Sequence, residues 1–246
     1  EVGGTESLAN FNQHFLKNQW RPYLLETNSE RGIDMGYLVR GDWDITITSH
    51  RDYVLPHAKY TKFSRDVLSL ELKHEGKTWV QALLVHLKSK LNMKGEDFEG
   101  RTRRAVEVHG LSAIAAALDP EIPLLVGGDF NGDARWPNPE PEFLPLYLRA
   151  NLKDVVSFSS IPEEDRFSYL RFRPSVAGRI TQQLDYLFIN EAAQKLLVSQ
   201  SVIFPRYLSA QGYPLPVPVD ISQKRLLPSD HFPLYAEFDL THHPYR

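Results

Sequence analysis

Residues Gly127–Asp133 read GGDFNGD and follow directly on Ile122–Gly127, a short apolar run with the character of a buried strand. Polar groups placed where a buried strand ends are a first sign of chemistry. Asp129 and Asn131 are two residues apart, and residues two apart on an extended chain point the same way. A carboxylate and a carboxamide are therefore expected to face one cleft, with the preceding glycines allowing close backbone approach. Taken alone, the same residues would serve a tight turn.

Two other segments have the same form. In VHLKSK, His86 closes the apolar run Thr78–His86, the most hydrophobic of the expected strands and so the one expected at the centre of a sheet. In PSDHFP, Pro228–Pro233, Asp230 and His231 stand just before the final expected strand, Pro233–Leu240. Asp185 in LDYLFI places a charge at the start of a further apolar strand, Leu184–Ile189. Each of these also has an ordinary structural reading: a hydrogen-bonded histidine, a local cap, a surface ion pair with Arg179.

The rest of the chain supplies a framework of strands with few helices. Further strands are expected at Met35–Arg40, Asp44–Thr48, Asp66–Leu72, Ser168–Phe172 and Val198–Phe204. Helices are expected at Glu6–Lys17, with Leu8, Phe11, Phe15 and Leu16 on one side, and at Arg101–Leu118, with a stripe of Val108, Leu111, Ile114, Ala115 and Leu118. Prolines 137, 139, 141 and 145 mark a surface loop, and residues 205–228 form a long segment of little periodicity. Such a mixture suggests two packed sheets flanked by helices.

Composition removes several classes of function. The chain has 246 residues, enough for one large domain with its own core. It has no cysteine, which excludes thiol catalysis, Cys-ligated zinc and iron–sulfur clusters. No apolar run reaches the ~20 residues of a membrane span. With 28 basic and 31 acidic residues the net charge is −3, so binding to a polyanion would need a local patch.

The motifs VHLKSK, GGDFNGD, LDYLFIN and PSDHFPLYAEF, with EVGG at Glu1, GIDMGYLVR and SRDVLSLEL before them, resemble in order and spacing the endonuclease/exonuclease/phosphatase superfamily. The resemblance runs over essentially the whole chain and implies the deoxyribonuclease-I-like α/β fold, a four-layer α/β/β/α sandwich of two mostly antiparallel sheets. It implies a single domain over 1–246 that lacks the family's N-terminal strand–helix–strand, about 30 residues by ordinary element lengths. A missing central strand is expected to leave an exposed sheet edge.

The resemblance further implies a set of roles. Glu1 and Asp230 are matched to metal ligands and Asp129 to the acid that orients or deprotonates the attacking water. Asn131 is matched to the donor that holds phosphate and nucleophile, and Asp185 and His231 to an Asp–His pair at the scissile phosphate. His86 is matched to a second histidine with Asp34 as its partner, and Arg65 to a phosphate-contacting arginine. The cofactor implied is Mg²⁺, with Mn²⁺ or Ca²⁺ as substitutes, and oxygen ligands suit such hard cations. Residue types leave open whether His231 acts as a base or as a charged phosphate clamp.

The activity expected is that of a metal-dependent phosphodiester hydrolase, a nuclease with DNA as the favoured partner, acting as a monomer. A phosphatase or lipid phosphodiesterase using the same site is the alternative, and a catalytically dead binding module a third. The basic cluster Arg101, Arg103 and Arg104 reads as a solvated helix start, with a phosphate-facing patch as the alternative, and Tyr207 and Tyr213 read as loop packing, with stacking on bases as the alternative. Localisation is not encoded in what can be read here.

Overall fold

The computed structural model describes residues 2–29, 32–91, 96–172, 178–243 and 245. Chain order is α1 (Thr5–Leu16), β1 (Arg21–Leu24), β2 (Gly36–Val39), β3 (Asp44–Ser49), β4 (Leu68–His74), β5 (Lys77–His86), α2 (Arg101–Ala116) and β6 (Leu124–Asp129). There follow α3 (Leu144–Leu148), β7 (Lys153–Asp154), β8 (Tyr169–Phe172), β9 (Arg179–Gln182), β10 (Asp185–Ile189), α4 (Glu191–Gln194), β11 (Leu197–Ile203), α5 (Ile221–Lys224) and β12 (Tyr235–Phe238).

Six strands form one sheet in the order β3-β4-β5-β6-β10-β7. Every pair is antiparallel except β5 and β6, whose parallel pairing requires the crossover that α2 provides. Period-2 alternation divides the strands between two faces. Leu83, Val85, Leu124, Val126, Tyr186 and Phe188 turn to one face, where they form the main core with Val108, Leu111, Ile114 and Ala115 of α2. The opposite face carries Leu125 and Leu187, which pack with Ile189 against Val202, Leu197 and Phe238 of β11 and β12.

That opposite face is covered by two-stranded ladders: β1–β2, β8–β9 and β11–β12. The β1–β2 ladder is tied to the large sheet by the Tyr37 hydroxyl, which donates to the Leu68 carbonyl at 2.7 Å. Helix α1 lies against β1 on the far side. The layers therefore run helix, sheet, ladders, helix, the α/β sandwich expected from the sequence.

Several expectations need correcting. In α1 only Leu8 and Asn12 are buried; Phe11 and Phe15 are exposed and stack on one another at 5.3 Å. The proline-rich stretch is not simply a surface loop: it includes a 3-10 turn and the start of α3, and it buries Phe143 and Leu146 under α2. The arginines at the start of α2 do not share one role. Arg104 is 0% exposed, its guanidinium 2.7 Å from Glu142 and donating to the Lys88 and Glu99 carbonyls. Arg103 lies 3.4 Å from Glu107 and over the Tyr60 ring, and Arg101 lies 3.9 Å from Glu99. A charge expected in solvent is instead a buried tie between α2 and the chain before α3.

Candidate active site

Strand register builds the first half of the site. In the parallel β5–β6 pair His86 is opposite Asp129, and in the antiparallel β6–β10 pair Asp129 is opposite Asp185. Three adjacent strands thus end at one rim with an imidazole and two carboxylates side by side, on the face away from α2. This register needs a glycine at 128. Its φ is +137°, and a Cβ there would stand 1.9 Å from the Val85 carbonyl oxygen.

Two carboxylates directly opposite in a ladder repel one another unless each has a partner. Asp129 has several. The Asn131 backbone N–H donates to Oδ1 at 2.8 Å, the Asn131 amide to Oδ2 at 3.0 Å, and His86 Nε2 lies 3.6 Å from Oδ2. Asn131 reaches Asp129 by turning, with a left-handed φ of 53°, and not by lying two residues along an extended strand. Its amide also donates to the Leu87 carbonyl at 3.1 Å. Both amide hydrogens are engaged, and what Asn131 keeps for a ligand is its carbonyl oxygen.

The second half of the site comes from the ladders. His231 Nδ1 lies 2.7 Å from Asp185 Oδ2. Burial pulls the imidazole's pKa down, but the hydrogen bond to Asp185 and the charges of Asp185, Asp129 and Asp230 outweigh it, and the pKa stands above its ordinary 6.5. The histidine is fixed through its backbone: residue 231 bridges to Tyr169, its carbonyl accepts from the Tyr207 hydroxyl, and Phe232 N–H donates to the Ser168 carbonyl at 2.6 Å. Ser168 Oγ in turn accepts from the N–H groups of Leu184 and Asp185 at 3.0 and 2.9 Å. Ser168, Tyr169 and Tyr207 therefore position the Asp–His pair, and no sequence motif marks Ser168 or Tyr169 for this role. Tyr207 packs on Phe232 at 5.7 Å, as its packing assignment anticipates.

A cleft of about 640 Å³ collects these groups, its walls including His86, Asp129, Asp185, Asp230 and His231. Asp230 is exposed there, 3.2 Å from Lys224 Nζ. Asp34 is buried nearer the β1–β2 ladder and accepts from the Thr27 N–H and hydroxyl at 3.0 and 2.9 Å. Its backbone bridges to Val2, while Met35 and Gly36 beside it line the cleft. Arg65 is half-buried in the loop before β4 and is not among the described residues lining the cleft. Glu1 lies outside the described residues.

The carboxylates are the right donors for a hard cation, but among the described residues no three His, Asp or Glu converge on one point. No described helix is long and apolar enough to cross a membrane.

The fold matches solved structures closely enough to define a class. The chain has the fold of the endonuclease/exonuclease/phosphatase proteins. It is similar over 92% of its length to a Leptotrichia buccalis protein of that family, covering 75% of that chain with a TM-score of 0.55 and 16% identity. It matches the 3′ phosphatase NExo from Neisseria bound to product DNA hairpin, with a TM-score of 0.54, 16% identity and coverage of 91% and 81% of the two chains. It also matches Danio rerio TDP2 complexed with single-strand DNA product, at 0.55 and 13%, covering 94% and 80%. No family model and no curated sequence matches the chain.

Proposed function

We propose that the chain is a phosphodiester hydrolase of the nuclease type, acting on DNA with the help of a divalent cation. The observation that carries the reading is the rim itself: the Asp185–His231 pair, 2.7 Å apart, in one cleft with Asp129 and His86. Two matched structures are described with product DNA, which supports a nucleic-acid substrate.

In this reading Asp129, oriented by Asn131 and His86, takes a proton from a water as the water's oxygen bonds to phosphorus. The bond from phosphorus to the leaving oxygen breaks, and that oxygen takes up a proton from solvent. His231, held by Asp185 and favoured in its protonated form, donates a hydrogen bond to a phosphate oxygen as negative charge builds there. A cation such as Mg²⁺, with Glu1 and Asp230 as its proposed ligands and Mn²⁺ or Ca²⁺ as substitutes, would neutralise part of that charge.

Exposed apolar residues of the 205–228 segment, Leu208, Val219 and Leu226, favour a second reading as a lipid-directed phosphodiesterase. Nicking of supercoiled plasmid separates the two. Nicking in Mg²⁺ is expected, abolished by EDTA and reduced about 10³- to 10⁴-fold in Asp129→Ala. Folded protein that leaves plasmid intact but cleaves a phospholipid would replace the first reading with the second.

A further inference from the structure

Beside the cleft, on the same rim, lies a second cavity of about 500 Å³, lined in part by Asp133, Arg135, Trp136, Asp154, Arg166 and Gln183. None of the described residues lining the two cavities is shared. They are nonetheless neighbours, because Asp133 follows Asn131 by two residues and Gln183 precedes Asp185 by two. Two residues of chain span at most about 7 Å.

Its walls are acceptor-rich. Gln183 is 2% exposed; its amide donates to Asp154 Oδ2 at 2.9 Å, and its Oε1 has no hydrogen-bond partner among the described residues. A buried carbonyl oxygen of this kind calls for a donor. Asp154 and Asp133 add carboxylates. The Arg135 guanidinium is already held by Asp133, with N–O distances of 2.8 and 2.5 Å, and Arg166 Nε donates to the Ile161 carbonyl. The carboxylates weigh against an anionic ligand and favour N–H donors. Burial lifts Asp154 to a pKa of about 6, against the hydrogen bonds of Gln183 and Val156 and the charge of Arg166. The hydrogen bond to Asp154 engages the Gln183 amide and leaves Oε1 as its remaining acceptor.

The wall also offers a flat apolar face. Trp136 is 55% exposed although its ring is braced by Tyr147 at 5.1 Å. An exposed, fixed indole beside a donor-seeking polar edge is the combination that holds a nucleobase, by stacking on one side and edge contacts on the other.

We infer that this cavity is a nucleobase pocket, which stacks a base on Trp136 and selects one whose exocyclic amino group donates to Gln183 Oε1. Resting on the nucleic-acid reading of the neighbouring cleft, it would receive the base of a nucleotide flanking the scissile phosphate and make cleavage base-dependent.

Binding without turnover tests this. The intact protein is titrated in EDTA with cytidine and uridine 5′-monophosphates, which differ in whether the ring edge carries an amino group. The cytidine nucleotide is expected to bind at least tenfold tighter. Trp136→Ala, a change at an exposed ring, is expected to weaken it at least tenfold, and Gln183→Met to bind both nucleotides alike. Equal affinity of the unaltered protein for the two nucleotides overturns the inference, as does unchanged cytidine nucleotide binding in Trp136→Ala. Both tests stand even if Gln183→Met fails to fold. Plasmid nicking in Mg²⁺ without base discrimination in EDTA would keep the enzyme reading and remove the pocket. Discrimination without nicking would do the reverse.

Discussion

The two inner layers of the sandwich are built to different standards. One is a continuous six-stranded sheet, and the other consists of separate two-stranded ladders. The sheet delivers His86, Asp129 and Asp185 by register alone, each on a strand paired on both sides. The ladder side delivers His231 through one bridge to Tyr169 and a few side-chain hydrogen bonds. The difference teaches that the site's rigid half and its adjustable half are separate. His86, Asp129 and Asp185 take their spacing from the sheet, whereas His231 reaches Asp185 from outside it, on a bridge and hydrogen bonds.

Asp129→Ala tests the rigid half most severely, because Asp129 is central in the row and touches both Asn131 and His86. Its expected loss of about 10³- to 10⁴-fold in turnover should leave the fold intact, since the side chain is at the rim. A variant within tenfold of the parent would remove Asp129 from the reaction. Gly128→Ala attacks the same half through its backbone. A Cβ 1.9 Å from the Val85 carbonyl oxygen forces β5 and β6 apart, and the φ of +137° disfavours any L side chain. The expected cost is about 3 kcal/mol, a fall in Tm of roughly 6–12 °C for a domain of this size. Thermal unfolding unchanged within 2 °C, to order of magnitude for this size class, would mean that the strand register tolerates slack.

Asp185→Asn tests the junction of the halves. Because the His231 pKa is raised on folding, the pair's contribution to stability is fully present below the unfolded value of 6.5. It is lost as pH rises through the higher folded value. With His231 acting in its protonated form, turnover should fall across that same range. Removing the Asp185 charge lowers the imidazole's pKa, so the falling limb of the pH–rate profile should move to lower pH, with an overall loss of about 10- to 100-fold. A limb that does not move would assign it to another group.

How much of this was legible in the sequence follows the same division. The sheet strands have strong patterns, and β3, β4, β5, β6 and β10 lie within a few residues of where alternation and apolar runs put them. The missed strands are β1, which contains Pro22, β7, which has only two residues, and β9, which alternates exposed and half-buried positions. Their pairing is set by tertiary neighbours, not by their own composition. His86, Asp129 and Asp185 could be singled out because each stands at the end of an apolar strand, and His231 because PSDHFP puts it just before the final expected strand. Ser168, Gln183 and the bond of Tyr207 to His231 could not, because each acts through a hydrogen bond to a distant segment, and such bonds leave no periodicity. The burial of Arg104 was hidden for the same reason: its partner Glu142 is 38 residues away.

The smallest expected effect falls on the adjustable half. Tyr207→Phe removes the hydroxyl that donates to the His231 carbonyl and keeps the ring that packs on Phe232. The bond is part-buried, so the net loss should be near that of one neutral hydrogen bond, about 1 kcal/mol. That corresponds to a Tm lower by roughly 2–4 °C and a turnover lower by less than about tenfold. If the ladder side is adjustable, His231 finds its place against Asp185 even without this tie. The pH–rate limb should then stay where it is while turnover declines slightly. A loss as large as that of Asp185→Asn, or a displaced limb, would show that Tyr207 holds the imidazole as firmly as strand register holds Asp129, and the division between the halves would have to be given up.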